Sequence, residues 1–467
     1  MVCATADSQA GSSGHRRVRG GRGAVVCPSS PEAPSPPSCS RGRHCDRRWP
    51  LRRASPTGGW GRRGRLEAGR AGCPGRADAG GSRTGARAGS RTGARAGSGG
   101  HHRDVSDGAR LVRRSLELLP PGDPVASPAA DDASLGLNEG VDGAFPSALA
   151  AIADAVPRLN RYPGRGSDVL VSALAARHDV QPTQVVVTAG ADAGIGYVCQ
   201  AVLDAGDEAV IPWPSFPSFV RDTQKRDALP VTVPLRESRV DLEAMRASVT
   251  ARTRLVFVAT PNNPTGLVIP RDELIAFVAA LPDHVLAVID EAYFDYLDPV
   301  GRLDAIADIV RVGGDALVLR TFSKLYGLAG LRVGYAVGPT AVVAAIRKVQ
   351  RGYDVGSLAQ AAALASLADT AEVQRRRAAN GVAVAALVST LRAHGLEPLA
   401  GSVANFVLVD VGNDAGRLAA KLLEQRVAVQ AGEVFGAPTA LRIGAGSDAD
   451  LALLDAALGV VLDNRGR

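Results

Sequence analysis

Short apolar runs rich in β-branched residues recur along most of this chain, each followed by a polar or glycine-bearing loop and then a helix-like pattern. The runs lie at residues 185–187, 208–211, 255–259, 285–289 and 316–319. Strands of this kind that alternate with helices are typical of a mostly parallel sheet with helices on both faces. We therefore predict an α/β fold with such a sheet in a large central domain.

The last third of the chain has a different pattern, which predicts a smaller α+β domain. Residues 341–391 read as long helices rich in Ala, Leu and Arg, and strands are predicted near 405–410, 427–430 and 440–444. A short helix-like segment with Leu116 at its centre precedes the sheet pattern and stops at Pro120. We divide the chain into a tail at 1–108, an arm at 109–160 that contributes to the small domain, a large domain at 161–338 and a small domain at 339–467.

Composition separates the tail from the rest of the chain. Residues 1–110 contain 21 Arg, no Lys and 7 Asp plus Glu, a net charge of +14; since the whole chain is +7, residues 111–467 are net −7. The tail is rich in Gly, Arg, Ser and Pro, and it repeats SRTGARAG at 82–89 and 90–97. A segment with so few apolar residues is predicted to be disordered. Its only aromatic residues are Trp49 and Trp60, so we expect no nucleic-acid partner.

Cysteine usage and hydropathy exclude several classes of protein. Five of the six cysteines lie in the first 110 residues without a regular ligand spacing, and only Cys199 lies beyond them. We therefore expect neither a metal site nor a disulfide framework. The N-terminus lacks the apolar core of a signal peptide, and no apolar run approaches the ~18 residues of a membrane span. We expect a cytoplasmic protein without a membrane segment.

Candidate chemistry follows the predicted strands, at the edge where open parallel sheets bind ligands. After 185–187, small residues with Gly190 open a helix, where backbone N–H groups can approach a phosphate. After 255–259, TPNNPTG at 260–266 forms a rigid turn that places an asparagine amide at the strand end. After 285–289 comes Asp290, and a carboxylate at the end of a buried strand requires a cationic partner. Each signal is moderate alone.

The loop after 316–319 carries the most specific signal. It reads RTFSK at 320–324 and then continues to Arg332. Only four lysines stand among the 54 Lys plus Arg residues, at 225, 324, 348 and 421. In a chain that prefers Arg so strongly, Lys324 indicates a need for an amine that can lose its proton and form an imine, which arginine cannot do.

These motifs, in this order, resemble the class I/II aminotransferases of pyridoxal 5′-phosphate (PLP) fold type I, and within them the histidinol-phosphate aminotransferase group. The resemblance runs from about Leu137 to the C-terminus. The motifs that carry it are LNE at 137–139, NRYP at 160–163, TPNNPTG at 260–266, DEAY at 290–293, RTFSK at 320–324, GLAGLRVGY at 327–335 and LRIG at 441–444.

The resemblance implies a role for each matching residue. Lys324 would hold PLP as a Schiff base and move the proton at the substrate's Cα. Asp290 would keep the pyridine nitrogen protonated, so that the ring acts as an electron sink, and Tyr293 and Asn263 would hydrogen-bond the ring's 3′ oxygen. Phe216 would stack on the ring. The phosphate would be held by Gly190, Ala191, Asp192, Thr321, Ser323 and Arg332. Tyr162 would reach the phosphate of a neighbouring subunit, which implies a homodimer, and Asn138 and Arg442 would bind the substrate.

Two departures from the histidinol-phosphate pattern bear on the substrate. That group carries a second arginine in a V-I-V-R strand, whereas this chain reads VAVQ at 427–430, with Gln430 in place of the charge. No Phe, Tyr or Trp occurs between Trp60 and Phe145, where the group has an aromatic residue near the substrate. A plain or aromatic amino acid therefore fits better than the family pattern alone implies.

Three hypotheses remain open. The leading one is an aminotransferase of the histidinol-phosphate type that exchanges an amino group with glutamate/2-oxoglutarate, with an aromatic or other amino-acid aminotransferase as its variant. The second is a PLP enzyme similar to threonine-phosphate decarboxylase, since the sequence does not reveal which bond at Cα lies perpendicular to the ring. The third is a transcription regulator with an aminotransferase-like sensor domain, disfavoured because the tail lacks the periodicity of a winged helix.

Overall fold

The computed structural model describes Arg113, Leu116, Leu119 and residues 132–463. By its contacts the chain divides into residues 1–97 and 98–467, and all described residues belong to the second unit. The predicted disordered tail, most of the helix-like segment around Leu116 and five of the six cysteines lie outside the described residues. The domain boundaries drawn from the sequence stay predictions.

A seven-stranded sheet forms the centre of the described chain, in the order β2-β8-β7-β6-β5-β3-β4. Strand β8 runs antiparallel to both of its neighbours, and all other pairs are parallel. The prediction of a mostly parallel sheet is therefore confirmed. The strands are β2 Val185–Thr188, β3 Glu208–Trp213, β4 Leu229–Pro234, β5 Thr253–Ala259, β6 Leu286–Asp290, β7 Ala316–Thr321 and β8 Gly334–Val337.

Strands β4 and β8 were not predicted from the apolar pattern. Strand β4 is an edge strand with exposed Leu229 and Pro at its second and last positions, which is where proline is tolerated in a sheet. Strand β8 has four residues. Prolines interrupt the apolar pattern of β4, and a glycine begins the short β8, so neither shows the continuous β-branched run of the predicted strands.

Helices cover both faces of this sheet, and one apolar cluster lies under each layer. The α-helices of this region are α1 Pro146–Ala155, α2 Asp168–His178, α3 Ala191–Val202, α4 Pro217–Gln224, α5 Leu242–Ala247, α6 Arg271–Ala279, α7 Thr340–Val349 and α8 Ser357–Ala368. Cys199 is buried in α3 as a free thiol.

The expectation of a helix after every predicted strand is wrong at two positions. After β6 the chain forms a 3₁₀ turn at Phe294–Tyr296 and a π-helical turn at Ile306–Val310. After β7 it forms a 3₁₀ turn at Ala329–Leu331 and returns directly as β8. An antiparallel neighbour needs only a tight connection, whereas a parallel one needs a crossover, so the loop after β7 is free to carry side chains at the sheet edge.

The C-terminal part builds a separate apolar cluster around a second, three-stranded sheet of order β11-β12-β9. Its strands are β9 Phe406–Asp410, β11 Gln430–Ala431 and β12 Ala440–Gly444, and its helices are α9 Thr370–Ala393, α10 Ala415–Glu424 and α11 Asp448–Asp463. Strand β1, Ala133–Ser134, pairs in parallel with β10, Val427–Ala428. The segment before the large sheet thus joins the C-terminal part.

Within the described ranges, no helix combines the length and apolar character that crossing a membrane requires.

Candidate active site

The candidate residues come together because the carboxyl ends of neighbouring strands meet at one edge of the large sheet. Ala259 at the end of β5 is in register with Asp290 at the end of β6, and Asp290 is in register with Leu319 of β7. The loops that follow these strands carry TPNNPTG, DEAY and RTFSK. The order of strands that the chain adopts therefore brings these three separated motifs into one site.

Lys324 lies in this site with its side chain half-buried and with charged groups around its amine. Its Nζ donates to the backbone carbonyl oxygens of Leu137 at 3.0 Å and Asn138 at 3.2 Å. Burial lowers the pKa of Lys324 to about 7, and the nearby Arg442 guanidinium acts in the same direction. With this pKa, about half of the amine is unprotonated and able to act as a nucleophile at pH 7.

Asp290 and Tyr293 are buried on the neighbouring loop. Asp290 Oδ1 accepts a hydrogen bond from the Ala292 N–H at 2.9 Å, and no ion pair forms at this carboxylate among the described residues. Burial raises the pKa of Asp290 to about 6. The Tyr293 hydroxyl accepts a hydrogen bond from Asn138 Nδ2 at 3.0 Å. Asp290 is therefore a carboxylate whose charge would be stabilised by a cationic group on a ligand.

A second group of candidates surrounds the N-terminus of α3, where the first N–H groups of the helix have no partner within the helix. Thr321 Oγ1 lies 3.0 Å from Ser323 Oγ, and Arg332 donates to Ser323 Oγ at 3.4 Å. Gly190 precedes the helix with a φ of +86°, and a Cβ there would lie 2.7 Å from the Arg332 guanidinium. Hydroxyls, a guanidinium and free N–H groups are the donors that a phosphate requires.

Arg442 of β12 completes the site from the C-terminal part. It donates to Asn263 Oδ1 at 2.8 Å and to the Gly136 carbonyl oxygen. The rings of Phe435 and Phe406 lie 4.5 and 5.6 Å from its guanidinium carbon. Burial lowers the pKa of Arg442 to about 10, and no carboxylate pairs with it in the described part of the chain. A buried, unpaired guanidinium is suited to binding a carboxylate of a ligand.

Three predicted residues lie at the margin of this arrangement. Phe216 is half-buried and packs edge-on against Phe219, with 5.8 Å between ring centroids. The Asp192 side chain accepts a hydrogen bond from Ser218, so only the backbone N–H of Asp192, in the first turn of α3, is left for a ligand. Tyr162 is 84% exposed and stacks on Tyr353 at 4.8 Å, apart from the other candidates within one chain.

Gln430 lies directly across from Arg442 in the β11–β12 pair. Its side-chain amide donates to the Ala431 carbonyl oxygen at 3.3 Å. The position where the histidinol-phosphate pattern has its second arginine is therefore next to the candidate substrate arginine but carries no charge.

The sequence analysis missed a buried ion-pair network beneath the site. Arg320 donates to Glu291 from two nitrogens, at 2.6 and 2.9 Å, and to Asp304 at 2.8 Å. Glu291 follows Asp290 and Arg320 precedes Thr321, so the pair joins the ends of β6 and β7. The sequence did contain a signal for this ion pair, because Glu291 and Arg320 have opposite charges and stand beside the ends of two predicted strands.

It also missed Asn405, which is 1% exposed and precedes β9. Its Nδ2 donates to the carbonyl oxygens of Asn138 and Glu139, both at 3.1 Å. A polar residue inside the apolar run VANFV was a signal, because a buried amide requires hydrogen-bond partners.

The donor set fits PLP. The phosphate would face the N-terminus of α3 with Ser323 and Arg332, where glycine at position 190 leaves room that a Cβ would fill. The ring nitrogen would supply the cation that buried Asp290 lacks, and Lys324 provides an amine with a lowered pKa. Asn138 Oδ1 and Arg442 Nε are buried without a hydrogen-bond partner, which leaves polar atoms available to a ligand.

Comparison with known proteins agrees with this chemistry. The family profile described as aminotransferase class I and II matches residues 130–459. The aromatic amino acid aminotransferase of Thermobifida fusca is 41% identical over 323 residues, 68% of this chain and 89% of that protein. The protein of the same name from Mycobacterium tuberculosis is 43% identical over 300 residues, 63% of this chain and 84% of that protein.

A solved structure supports the same assignment. The histidinol-phosphate aminotransferase of Sinorhizobium meliloti, determined in complex with PLP, superposes with a TM-score of 0.70 at 30% identity and covers 76% of this chain and 98% of its own. From the fold, the site and these similarities, we conclude that the chain belongs to the class I and II aminotransferases and is a PLP-dependent transaminase of fold type I.

Proposed function

We propose that this enzyme transfers the amino group of an aromatic L-amino acid to a 2-oxo acid, with 2-oxoglutarate as the acceptor. The observation that carries the proposal is the pair Arg442 and Gln430: one buried guanidinium and, in register beside it, a neutral amide. A single carboxylate needs one guanidinium. A phosphorylated amino alcohol needs a further cation for its phosphate, which Gln430 does not supply.

The surroundings of Arg442 favour an aromatic side chain. Phe406 and Phe435 are buried beside the guanidinium, and the rings make this part of the site apolar. An aromatic substrate side chain buries a large apolar area when it leaves water. The relatives from T. fusca and M. tuberculosis are named aromatic amino acid aminotransferases, which supports the same substrate class.

In this proposal each side chain has a defined task. Arg442 and Asn138 orient the substrate. Lys324 holds the cofactor and then carries the proton at the substrate's Cα, for which a pKa of about 7 is suited. Bound PLP supplies the electron sink for the electrons that remain on Cα. Asp290, Tyr293 and Asn263 bind the ring, and Phe216 packs on it.

The phosphate in this proposal is held by Thr321, Ser323, Arg332 and the first N–H groups of α3, at Ala191 and Asp192. We also propose a homodimer in which Tyr162 reaches the site of the second subunit. The dimer proposal rests on the 84% exposure of the Tyr162 side chain and on the exposed apolar residues Leu159 and Val169, which are near it in sequence. Analytical ultracentrifugation should give twice the mass of one chain. A fully active monomer would contradict the homodimer.

The experiment that tests the substrate compares kcat/KM for L-phenylalanine, L-tyrosine and histidinol phosphate, with 2-oxoglutarate as acceptor. We expect the aromatic amino acids to exceed histidinol phosphate by at least about tenfold, the effect of one lost charged hydrogen bond of ~1.5 kcal/mol. Gln430→Arg should narrow this difference. Gln425→Arg adds the same charge at an exposed position and should leave it unchanged.

Histidinol phosphate is the second candidate substrate, because the histidinol-phosphate aminotransferase of S. meliloti is similar to this chain in structure. A preference of the wild-type enzyme for histidinol phosphate would reject the aromatic proposal and select this candidate. Decarboxylation is tested in the same reactions: release of CO₂ without formation of a 2-oxo acid would reject both aminotransferase proposals.

A further inference from the structure

Asn405 stands between the C-terminal part of the chain and the segment that covers Lys324. It directly precedes β9, which belongs to the second sheet. Its side-chain amide crosses to the segment at residues 137–139, far away in sequence, and donates to the carbonyl oxygens of Asn138 and Glu139. Two hydrogen bonds from one buried amide define the position of that segment closely.

The same segment contacts both the Lys324 amine and the Tyr293 hydroxyl. The carbonyl oxygen of Asn138 accepts from Asn405 and also from Lys324 Nζ, and the Asn138 side chain donates to the Tyr293 hydroxyl. Asn138 has a φ of +54°, in the left-handed region that asparagine tolerates better than most residues.

We propose that Asn405 is a positioning residue of the transamination site: by binding the carbonyl oxygens of residues 138 and 139 it holds this segment over the Lys324 amine and against Tyr293. The inference rests on the proposed function only in assigning Lys324 as the reactive amine. Asn405 itself acts through the segment and not on the substrate.

The consequence of losing this contact follows from the environment of Lys324. Asn405 lines a cavity together with Gly140, Leu325 and Asn380. Removing its amide enlarges the cavity and releases the segment, so more water reaches the half-buried amine. Burial is the largest cause of the lowered pKa, and hydration therefore moves it upward. The charged and titratable groups that face the amine are Arg442, Glu139, Arg332, Asp290 and Tyr293.

The test measures the amine directly in the full-length chain freed of cofactor. The rate of acetylation of Lys324 by acetic anhydride, followed by mass spectrometry from pH 5 to 10, gives its apparent pKa. We expect Asn405→Ala to raise it by about one unit, which is about tenfold slower labelling at a fixed pH below the pKa.

Asn380→Ala is the matched control. Asn380 lines the same cavity and donates to the Ala404 carbonyl oxygen at 3.2 Å, but no hydrogen bond joins it to residues 137–139. The control should leave the pKa of Lys324 unchanged. If Asn405→Ala does not fold, Asn405→Ser, which retains a buried hydroxyl, is expected to show the same direction of change.

Two outcomes would overturn the inference. The first is an unchanged Lys324 pKa in folded Asn405 variants, which would mean a structural role alone. The second is an equal shift in Asn380→Ala, which would mean that cavity hydration suffices. Failure of the proposed function gives a separate result. In that case Lys324→Ala would keep the absorbance band of the wild-type Schiff base with PLP, whatever the Asn405 variants show.

Discussion

The buried ion pair between Glu291 and Arg320 allows a prediction that does not depend on the cofactor. The Glu291 and Arg320 side chains are 1% and 4% exposed. Glu291 accepts two hydrogen bonds from Arg320 through Oε2 and a third from the Ala305 N–H through Oε1. The guanidinium carbon of Arg320 also lies 3.5 Å above the ring of Phe294. The perturbation is Glu291→Gln, which preserves shape and removes the charge.

The size of the effect follows from what Arg320 loses. A glutamine keeps one acceptor oxygen but turns an NH₂ donor toward donors, so at least one charged hydrogen bond disappears. Removing one partner of a buried pair costs about 3–5 kcal/mol. Arg320 retains Asp304, whose side chain is 33% exposed, which places the expected loss near the lower limit, about 3 kcal/mol. The double variant Glu291→Met/Arg320→Met removes both charges and should lose less stability than the sum of the losses in Glu291→Met and Arg320→Met alone.

The assay is denaturant unfolding of the cofactor-free protein, followed by far-ultraviolet circular dichroism. The control is Glu397→Gln in the exposed pair with Arg392, whose side chains are 68% and 55% exposed, and no measurable change is expected there. The reasoning would be refuted if Glu291→Gln unfolded at the same midpoint as the control. It would also fail if the single losses added without coupling in the double variant.

Further predictions concern the cofactor site. Lys324→Ala should abolish transamination and the absorbance band of the Schiff base with PLP; residual activity within tenfold of wild type would contradict its role. Capture of added PLP by the cofactor-free protein should slow about tenfold per pH unit below 7, since the amine protonates there; a rate independent of pH over this range would contradict the lowered pKa. Gly334→Ala should weaken PLP binding about tenfold or more, because a Cβ would lie 2.8 Å from the Ala191 nitrogen and strain of ~1–3 kcal/mol results. Gly330→Ala, where a Cβ would meet nothing within 4 Å, is its control, and equal effects of the two would exclude this explanation.

The sequence by itself determined five of the seven strands of the large sheet. Its central strands are buried on both faces, so each needs a continuous apolar run, and such runs are visible without a structure. The motifs of the site were equally visible, because each follows its own strand and the carboxyl ends of parallel strands meet at one edge. Lys324 and Asp290 were therefore identified as candidates before any contact was known, and the family resemblance implied Arg442.

The tertiary structure decided which side chains touch. Lys324 reaches the carbonyl oxygens of Leu137 and Asn138, and Asn405 reaches the same segment, across sequence separations that no local pattern records. Local periodicity reports whether a residue is buried, whereas its partner depends on how strands and domains pack. The lowered pKa of Lys324 has the same origin, since it arises from burial beneath a segment that only the folded chain brings into place.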